Sequence, residues 1–218
     1  MHTPVLLFDL DGTLTDPAPG FLASLRYAME ELGIAHRPDK ELVRFIGPPL
    51  RNTMGEILGT EDRDLIEEGV RLYRERLDSG GKFEATVFEG ITAVLEHFES
   101  RGHDLFVCTG KPECVATEIV EHFGLSRYFQ KVYGAKLDGR HCDKADLIRH
   151  IWDEEQIPHP DGIMIGDTAF DMKGAKANQL HAIGVRWGFG QDEDLLAGGA
   201  DQLLDDITEL IPAIESLC

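Results

Sequence analysis

Short, continuous apolar runs recur along the chain, and each is followed by a loop and then by a helical pattern. The runs lie at Val5–Phe8, Leu105–Cys108, Val132–Tyr133, Ile163–Ile165 and Ala182–Val185. Continuous apolar runs, unlike alternating ones, are typical of strands that are buried on both faces of a parallel sheet. The alternation of such strands with helices therefore predicts an α/β fold, a doubly wound parallel sheet.

One stretch, from about Pro17 to Lys82, breaks this alternation because it contains only helical patterns. Apolar residues keep helical spacing in three segments that each end at glycine, namely Phe21–Leu32, Leu50–Leu58 and Ile66–Leu77. The return through Ser79-Gly80-Gly81-Lys82 has the composition of a flexible hinge. We therefore predict an α/β core of residues 1–16 and 83–218, interrupted by a small α-helical domain of residues 17–82.

The net charge of the chain argues against some classes of binding partner. The 218 residues include 21 Lys and Arg against 40 Asp and Glu, a formal net charge of −19. Such an acidic surface repels nucleic-acid polymers and anionic membranes, so neither is expected as a partner. Most of these acidic side chains are expected to be solvated, and a few to serve a bound cation.

The sequence carries no sign of export or membrane insertion. No basic segment precedes the first apolar run, and no apolar run approaches the roughly 18 residues that a membrane helix needs. The cysteines lack CxxC spacing and are expected to be reduced thiols; they are Cys108, Cys114, Cys142 and Cys218. These features favour a cytoplasmic protein.

The first strand runs into a pair of carboxylates. Asp9 and Asp11 are two residues apart, so in an extended segment both project from the same side, past the carboxyl end of the strand. Open α/β sheets bind ligands at that end. The Gly12-Thr13 step allows a sharp turn that presents amides to an anion. A simple turn with solvated acids is the alternative, and the position after a buried strand argues against it.

A second acidic pair follows the fourth strand. Asp167 ends this strand, and Asp171 shares its face if a helix begins there. Taken alone, this segment could equally be a helix N-cap. Together with the first pair it suits Mg²⁺, which prefers a few carboxylate oxygens and several waters. Asp9, Asp167 and the Asp11 carbonyl would form such a site, while Thr109 and Gly110 offer a hydroxyl and an amide at the same edge.

In their order along the chain, the motifs DLDGTLTD, CTGK, a lone Lys144 and GDTAFD resemble those of the haloacid dehalogenase (HAD) superfamily of phosphohydrolases. The helical insertion is similar to the first type of cap domain in that superfamily. Phe45–Leu50 and Trp187–Gly190 make the chain look most like the phosphoglycolate phosphatases. Relatives with a similar Gly-Pro-Pro-Leu cap segment are 5′-nucleotidases, which remain the alternative.

The resemblance implies a role for each motif. Asp9 would attack phosphorus and form an aspartyl-phosphate, and Asp11 would act as general acid and then as general base. The phosphoryl oxygens would be held by Thr13, Thr109, Gly110 and Lys144. The metal site would comprise Asp9, Asp11, Asp167 and Asp171, with Asp171 binding through water or from behind the direct ligands. Two departures are glycine at position 110, where serine or asparagine is usual, and Ala145, where proline is common.

Substrate choice is expected to lie in the cap. Gly47 and Pro48 form a rigid turn between two cap helices, and Arg44 and Arg51 flank it. The arginines would pair with a substrate carboxylate or a second phosphate, unless the turn is a plain connector and they face solvent.

Several other functions remain open at this point. Asp11 and the cation site argue for phosphorus chemistry over true dehalogenation, and neither Lys40 nor Lys82 looks desolvated, as a phosphonate hydrolase would require. A sugar phosphomutase or a non-catalytic phosphate-binding protein remains possible. The expected partner is a small phosphorylated metabolite, and the protein is expected to be a monomer or a homodimer.

Overall fold

The computed structural model describes residues 3–158 and 161–217 of the chain. Its strands, numbered in chain order, are β1 Val5–Phe8, β2 Thr15–Asp16, β3 Thr86–Val87, β4 Leu105–Pro112, β5 Lys131–Ala135, β6 Gly162–Gly166, β7 His181–Val185 and β8 Gln202–Leu204. Its α-helices are α1 Ala18–Glu31, α2 Asp39–Leu42, α3 Leu50–Leu58, α4 Arg63–Asp78, α5 Ile91–Glu99, α6 Glu113–His122, α7 Lys144–Glu154, α8 Ala169–Ala177, α9 Asp192–Gly198 and α10 Leu210–Glu215. Short 3₁₀ turns lie at Val43–Phe45, Gly81–Phe83, Ser126–Tyr128 and Ile207–Glu209.

The larger unit is built on a six-stranded sheet in the order β5-β4-β1-β6-β7-β8, with parallel neighbours throughout. At its centre, Leu6 of β1 pairs with Leu105 of β4 on one side and with Ile163 of β6 on the other. Along the chain, β4 and β5 are added on one side of β1, and β6, β7 and β8 are then added on its other side. This reversal makes the carboxyl end of β1 a topological switch point, where open α/β sheets bind ligands. The predicted doubly wound parallel sheet is confirmed.

Both faces of this sheet are buried, as the continuous apolar runs predicted. Leu6 and Phe8 pack into one apolar cluster together with residues of α5, α6 and α10. Val5 and Leu7 point the other way, into a second cluster with residues of α7, α8 and α9. Burying an aliphatic or aromatic side chain of this size contributes about 1.5–3 kcal/mol. The central strand is therefore fixed from both sides, and so is the start of the loop that follows it.

The second unit, Asp16–Thr86, contains helices α1–α4. It has an apolar core of its own, which includes Leu25, Met29, Met54 and Tyr73. The remaining residues, up to Thr15 and from Val87 onward, form the first unit. The chain passes between the units through β2 and β3, which pair with each other as a two-stranded sheet.

Several elements differ from the sequence prediction, which also did not include β2, β3, α9 and α10. β8 was missed because three residues are too few for a periodic pattern, and it exists because β7 offers it a parallel edge. The four-residue helix α2 was missed for the same reason of length. β4 continues four residues beyond Cys108 to Pro112, with an irregular register between Thr109 and Pro112.

The cysteines agree with the expectation of reduced thiols wherever the structure describes them. Cys108 is buried, Cys114 and Cys142 are exposed, and all three are free, whereas Cys218 lies outside the described residues. Burial raises the pKa of the Cys108 thiol to about 12, so this thiol is unreactive. Within the described residues, no helix combines the length and apolar character needed to span a bilayer.

Helix α7 begins at an aspartate cap whose contribution to stability can be measured. The Asp143 carboxylate accepts hydrogen bonds from the Ala145 N–H at 2.9 Å and the Asp146 N–H at 3.1 Å. Asp143→Ala leaves these amides without that partner, so we expect the free energy of unfolding to fall by about 1 kcal/mol in urea titrations. Asp153→Ala, on an exposed position of the same helix, is the matched control and should cost less than half as much. Equal effects of the two substitutions would contradict the capping role.

Candidate active site

Polar side chains gather beyond the carboxyl ends of the three central strands. Asp9 directly follows β1, Asp167 directly follows β6, and Thr109 lies in the last part of β4. Lys144 is the first residue of α7, and Asp171 lies in the first turn of α8. Because neighbouring parallel strands end at one edge, residues that are far apart in sequence meet here in one buried cluster.

Asp9 is held beside a cation and away from water, with only 8% of its surface exposed. Its Oδ1 accepts a hydrogen bond from the Leu10 N–H at 2.8 Å and lies 3.3 Å from Lys144 Nζ. Burial raises the pKa of Asp9 to about 6. The Lys144 charge opposes this rise, and the Asp171 charge adds to it. At neutral pH the carboxylate is thus ionised, desolvated and fixed in position, as a nucleophile must be.

Lys144 supplies the positive charge inside the cluster. Its Nζ lies 2.6 Å from Asp171 Oδ1 and donates a hydrogen bond to the Cys108 carbonyl oxygen at 2.8 Å, in addition to its contact with Asp9. Burial alone would lower the pKa of Lys144, but the charges of Asp171 and Asp9 outweigh burial and raise it above the usual value. The side chain therefore stays charged, and its three N–H donors are directed by three acceptors.

Asp171 orients Lys144 and caps a helix at the same time. Its Oδ2 accepts hydrogen bonds from the Thr168 N–H at 3.0 Å and from the Thr168 hydroxyl at 2.7 Å. These bonds form the capping box of α8. Because Oδ1 faces Lys144, both oxygens of this fully buried carboxylate already have partners.

Asp167 is also buried, but one of its oxygens is open. Oδ2 accepts a hydrogen bond from the Phe189 N–H at 2.8 Å, whereas Oδ1 has no hydrogen-bond partner among the described residues. Burial raises the pKa of Asp167 well above its ordinary value, and the charges of Asp171 and Asp9 raise it further. A buried carboxylate oxygen without a partner is costly unless something else binds it.

The backbone is shaped to bring Asp167 this close. Gly12 has φ +81°, and a Cβ at this position would overlap the Asp167 carboxylate. A Cβ on Gly188 would overlap both the Asp167 side chain and the Gly12 carbonyl oxygen. Glycine at both positions lets the loop after β1 and the loop after β7 close around the end of β6.

A divalent cation fits this arrangement. Ligand atoms of Asp9, Asp167 and Asp171 all lie within 4.8 Å of one another. These carboxylates outnumber the one buried ammonium of Lys144, and the Asp167 Oδ1 is free to coordinate. Oxygen ligands of this kind suit a hard cation. Asp9 and Asp167 would be the direct carboxylate ligands. Asp171, whose oxygens already bind Thr168 and Lys144, would support the site without contacting the ion directly.

Asp11 lies beside a different cation. Its Oδ2 is 2.5 Å from Lys111 Nζ, and the two side chains are 22% and 13% exposed. Its carboxylate is not part of the acidic cluster that the described residues form around Asp9. The loop folds back after Asp11, which makes an isolated β-bridge with Thr15. The two aspartates thus follow the same strand but have different ionic partners.

The three remaining core positions of the predicted site differ in accessibility. The Thr109 side chain is buried and donates a hydrogen bond that lowers the pKa of Asp9. Gly110, the next residue, is exposed, and a Cβ there would meet open space. Thr13 is fully buried, and its hydroxyl has no hydrogen-bond partner within the described parts of the chain.

The predicted specificity residues all lie in the second unit. Gly47 has φ +104°, as the expected tight turn requires, and Pro48 is exposed beside it. Arg44 forms an ion pair with Glu56, and Arg51 forms one with Glu67. Both arginine side chains are more than half exposed, so their guanidinium groups are accessible to solvent.

Two features of the site were not assigned by sequence reasoning. Lys111 belongs to a motif that was noted, but its pairing with Asp11 depends on how β4 lies against β1. Trp187 binds a loop backbone, because its indole N–H donates to the Thr13 carbonyl oxygen at 3.1 Å, and the Phe189 main-chain N–H donates to the Asp167 carboxylate. Glycines around these aromatic residues were the available signal, because they mark close backbone approach.

The fold and the site together define an α/β enzyme with a buried acidic centre. A family model for haloacid dehalogenase-like hydrolases matches residues 6–185. The chain belongs to this family and is a phosphatase within it. A predicted phosphatase from Clostridium acetobutylicum has a similar structure, with a TM-score of 0.92 and 36% identity, and the match covers 99% of this chain and 100% of that one.

Similar curated proteins carry different activities in their names. A 5′-nucleotidase from Pseudomonas aeruginosa is 41% identical over 216 residues, 99% of this chain and 97% of that protein. The tyrosine-protein kinase PtkA of Mycobacterium tuberculosis is 34% identical over 190 residues, 86% of this chain and 63% of PtkA. A phosphoglycolate phosphatase from Photobacterium profundum is 27% identical over 222 residues, 98% of this chain and 96% of that protein.

The close approach at Gly188 predicts a sensitive position. In Gly188→Ala the added methyl group would displace Asp167 or the loop after β1, so we expect phosphatase activity (kcat/KM) to fall at least about tenfold. The free energy of unfolding should fall by about 1–3 kcal/mol in the same preparation. Gly55→Ala in α3, where the nearest atom would lie at 3.4 Å, is the control and should retain full activity. Full activity of Gly188→Ala would show that the contact with Asp167 is dispensable.

Proposed function

We propose that the protein is a Mg²⁺-dependent phosphomonoester hydrolase that acts through an aspartyl-phosphate on Asp9. The observation that carries this proposal is the combination of the buried, ionised Asp9 beside Lys144 with the open Oδ1 of Asp167. A nucleophile, a fixed positive charge and a free metal-ligating oxygen are what phosphoryl transfer requires at one point. The expected substrate is a small phosphorylated metabolite.

The chemistry follows in two displacements. An oxygen of the Asp9 carboxylate attacks phosphorus, the bond from phosphorus to the ester oxygen breaks, and Asp11 donates a proton to that leaving oxygen. Water then attacks the phosphorus of the aspartyl-phosphate while Asp11 accepts a proton from it. The bond between phosphorus and Asp9 breaks, which releases inorganic phosphate and restores both carboxyl groups.

The surrounding residues stabilise the negative charge of the phosphoryl group during both steps. Lys144 lies within reach of Asp9 and stays charged, and we assign the Thr109 hydroxyl and the Gly110 amide to the phosphoryl oxygens. We assign the fully buried Thr13 to the same set through its place in the loop after β1, where it supports the phosphate-binding backbone. When bound, Mg²⁺ supplies further positive charge against the phosphoryl group and the carboxylates.

For the substrate class we favour nucleoside 5′-monophosphates. The support is the 41% identity to a 5′-nucleotidase along nearly the whole of both chains, compared with 27% to a phosphoglycolate phosphatase. Phosphoglycolate is the second candidate, supported by the motif resemblance of Phe45–Leu50 and Trp187–Gly190. A kinase activity has weaker support, because a third of PtkA lies outside the similarity.

The proposal is tested by phosphate release from nucleoside monophosphates, phosphoglycolate, sugar phosphates and p-nitrophenyl phosphate, with Mg²⁺ and with EDTA. We expect turnover that requires Mg²⁺ and is fastest with a nucleoside monophosphate. Asp9→Asn removes the nucleophile and should lower kcat at least about a thousandfold. Asp153→Asn, an exposed acid on α7, is the matched control and should retain activity.

Other outcomes point to other functions. Isomerisation of a sugar phosphate without phosphate release would indicate a phosphomutase. Phosphate binding without turnover, by folded protein in Mg²⁺, would indicate a non-catalytic phosphate-binding protein. Full turnover by Asp9→Asn would contradict the covalent mechanism, whichever substrate is best.

We further propose that the cap residues Gly47, Pro48, Arg44 and Arg51 take part in substrate choice. Arg51→Ala should raise KM about fivefold for phosphoglycolate, a change equivalent to the loss of about 1 kcal/mol from one ionic contact. It should leave KM unchanged for p-nitrophenyl phosphate, which has no second acidic group. Arg71→Ala is the control, because Arg71 is an equally exposed arginine that pairs with Glu68 and Glu75. A uniform effect of Arg51→Ala on both substrates would remove Arg51 from the specificity set.

A further inference from the structure

The ion pair between Asp11 and Lys111 is separate from the one between Asp9 and Lys144. Lys111 Nζ lies 2.5 Å from Asp11 Oδ2, and the side chains are only 13% and 22% exposed. A charge-assisted contact of this length, largely shielded from water, restrains both side chains more than a solvated surface pair does. It therefore fixes where the Asp11 carboxylate points.

The backbone of β4 is irregular where it carries Lys111. Between Thr109 and Pro112 the pairing with β5 shifts register, and such a shift re-aims side chains at the end of a strand. The Lys111 N–H donates to the Thr109 Oγ1 at 3.3 Å, so the turned backbone is tied to the residue beside Asp9. β4 is the direct neighbour of β1, and this brings Lys111 to the loop that contains Asp11.

Lys144 and Lys111 form ion pairs with different carboxylates. Lys144 is directed by Asp9, Asp171 and the Cys108 carbonyl oxygen. Lys111 instead faces Asp11. The residue that attacks phosphorus and the residue that transfers protons are therefore held by separate cations from separate elements, α7 and β4.

We infer that Lys111 is a positioning residue for Asp11, holding its carboxyl group in line with the oxygen of the leaving group. The inference rests on the proposed function, in which Asp11 transfers the proton to that oxygen. Proton transfer by a fixed side chain depends on its placement within hydrogen-bond reach, and a small misplacement is costly. Gly12, with φ +81°, directly follows Asp11 and turns the chain there, so the ion pair with Lys111 adds a side-chain restraint at a turn in the backbone.

This role has a signature that a purely structural role lacks. An alkyl ester, such as a nucleoside 5′-monophosphate, has a poor leaving group that needs a proton. p-Nitrophenolate leaves readily without one. A misplaced Asp11 therefore slows the first displacement on the alkyl ester and spares it on the aryl ester, whereas a distorted site slows both.

The experiment compares Lys111→Met, Lys111→Arg and the control Lys136→Met in Mg²⁺, with a nucleoside 5′-monophosphate and with p-nitrophenyl phosphate. Lys136 is a suitable control because it also forms an ion pair at the end of a strand, with Glu113 at 2.6 Å. For Lys111→Met we expect kcat on the alkyl ester to fall by about 30-fold, with KM changed less than about threefold. On p-nitrophenyl phosphate kcat/KM, which reports only the steps up to departure of the leaving group and not the second displacement, should fall less than about threefold. Lys111→Arg, which keeps the charge, should recover at least a third of wild-type kcat.

A double variant tests the coupling directly. If Lys111 acts through Asp11, Lys111→Met added to Asp11→Asn should lower kcat on the alkyl ester by less than about twofold beyond Asp11→Asn alone. Thermal unfolding of every variant is followed in parallel, and Lys111→Gln, which also removes the charge, replaces Lys111→Met should the latter be poorly folded. In that case the Gln variant must show the same preference for loss on the alkyl ester.

Three results would overturn the inference. An equal loss of kcat/KM on both esters would mean that Lys111 only supports the structure. An unchanged kcat with a raised KM confined to the nucleotide would mean that Lys111 binds the substrate, and additive effects in the double variant would separate it from Asp11. Each of these leaves the proposed function standing if Asp9→Asn is inactive, whereas an active Asp9→Asn would remove the proposed function itself.

Discussion

The position of one ammonium group, that of Lys144, determines the rest of the site. Asp9 and Asp171 are buried, and a buried carboxylate without a cation is strongly disfavoured. Lys144 lies 2.6 Å from Asp171 and 3.3 Å from Asp9, and a main-chain carbonyl of β4 fixes its third hydrogen. Asp9 can therefore stay ionised although it is shielded from water. The same contacts tie α7 and α8 to the ends of β1 and β4, so that the buried acidic cluster also connects these four elements of the fold.

Asp167 is stabilised in a different way from Asp171, since only one of its two carboxylate oxygens has a partner in the described structure. Its one bonded oxygen faces the Phe189 N–H, and its other oxygen is left without a partner in the described structure. Glycines 12 and 188 allow two loops to close on it without side chains of their own. An acid so placed raises the energy of the empty site and favours cation binding. The centre is thus arranged for a divalent ion by its charge and by its unfilled coordination.

Much of the fold could be predicted from the sequence, because buried parallel strands carry their signal in consecutive residues. Val5–Phe8 is a strand with the predicted bounds, and the apolar runs at Ile163–Ile165 and Ala182–Val185 lie within β6 and β7. β8 and α2 were missed since their stability comes from neighbours and not from a pattern of their own. Sequence reasoning found the acids of the site through their spacing, but it selected Lys144 only by family resemblance. It gave Lys111 no role, since nothing local to β4 indicates that Asp11 is near.

The sequence by itself determined the class of fold, the edge of the sheet where the polar side chains meet and the residue types gathered there. These follow from short-range rules: buried runs make strands, and the carboxyl ends of parallel strands meet at one edge. Only the tertiary structure decided how the charges are paired, with Asp9 and Asp171 at Lys144, Asp11 at Lys111, and Asp167 at a main-chain amide with one oxygen left open. The physical reason is that ionic contacts and burial depend on distances of a few ångströms between residues far apart in the chain, and a linear pattern does not encode these distances.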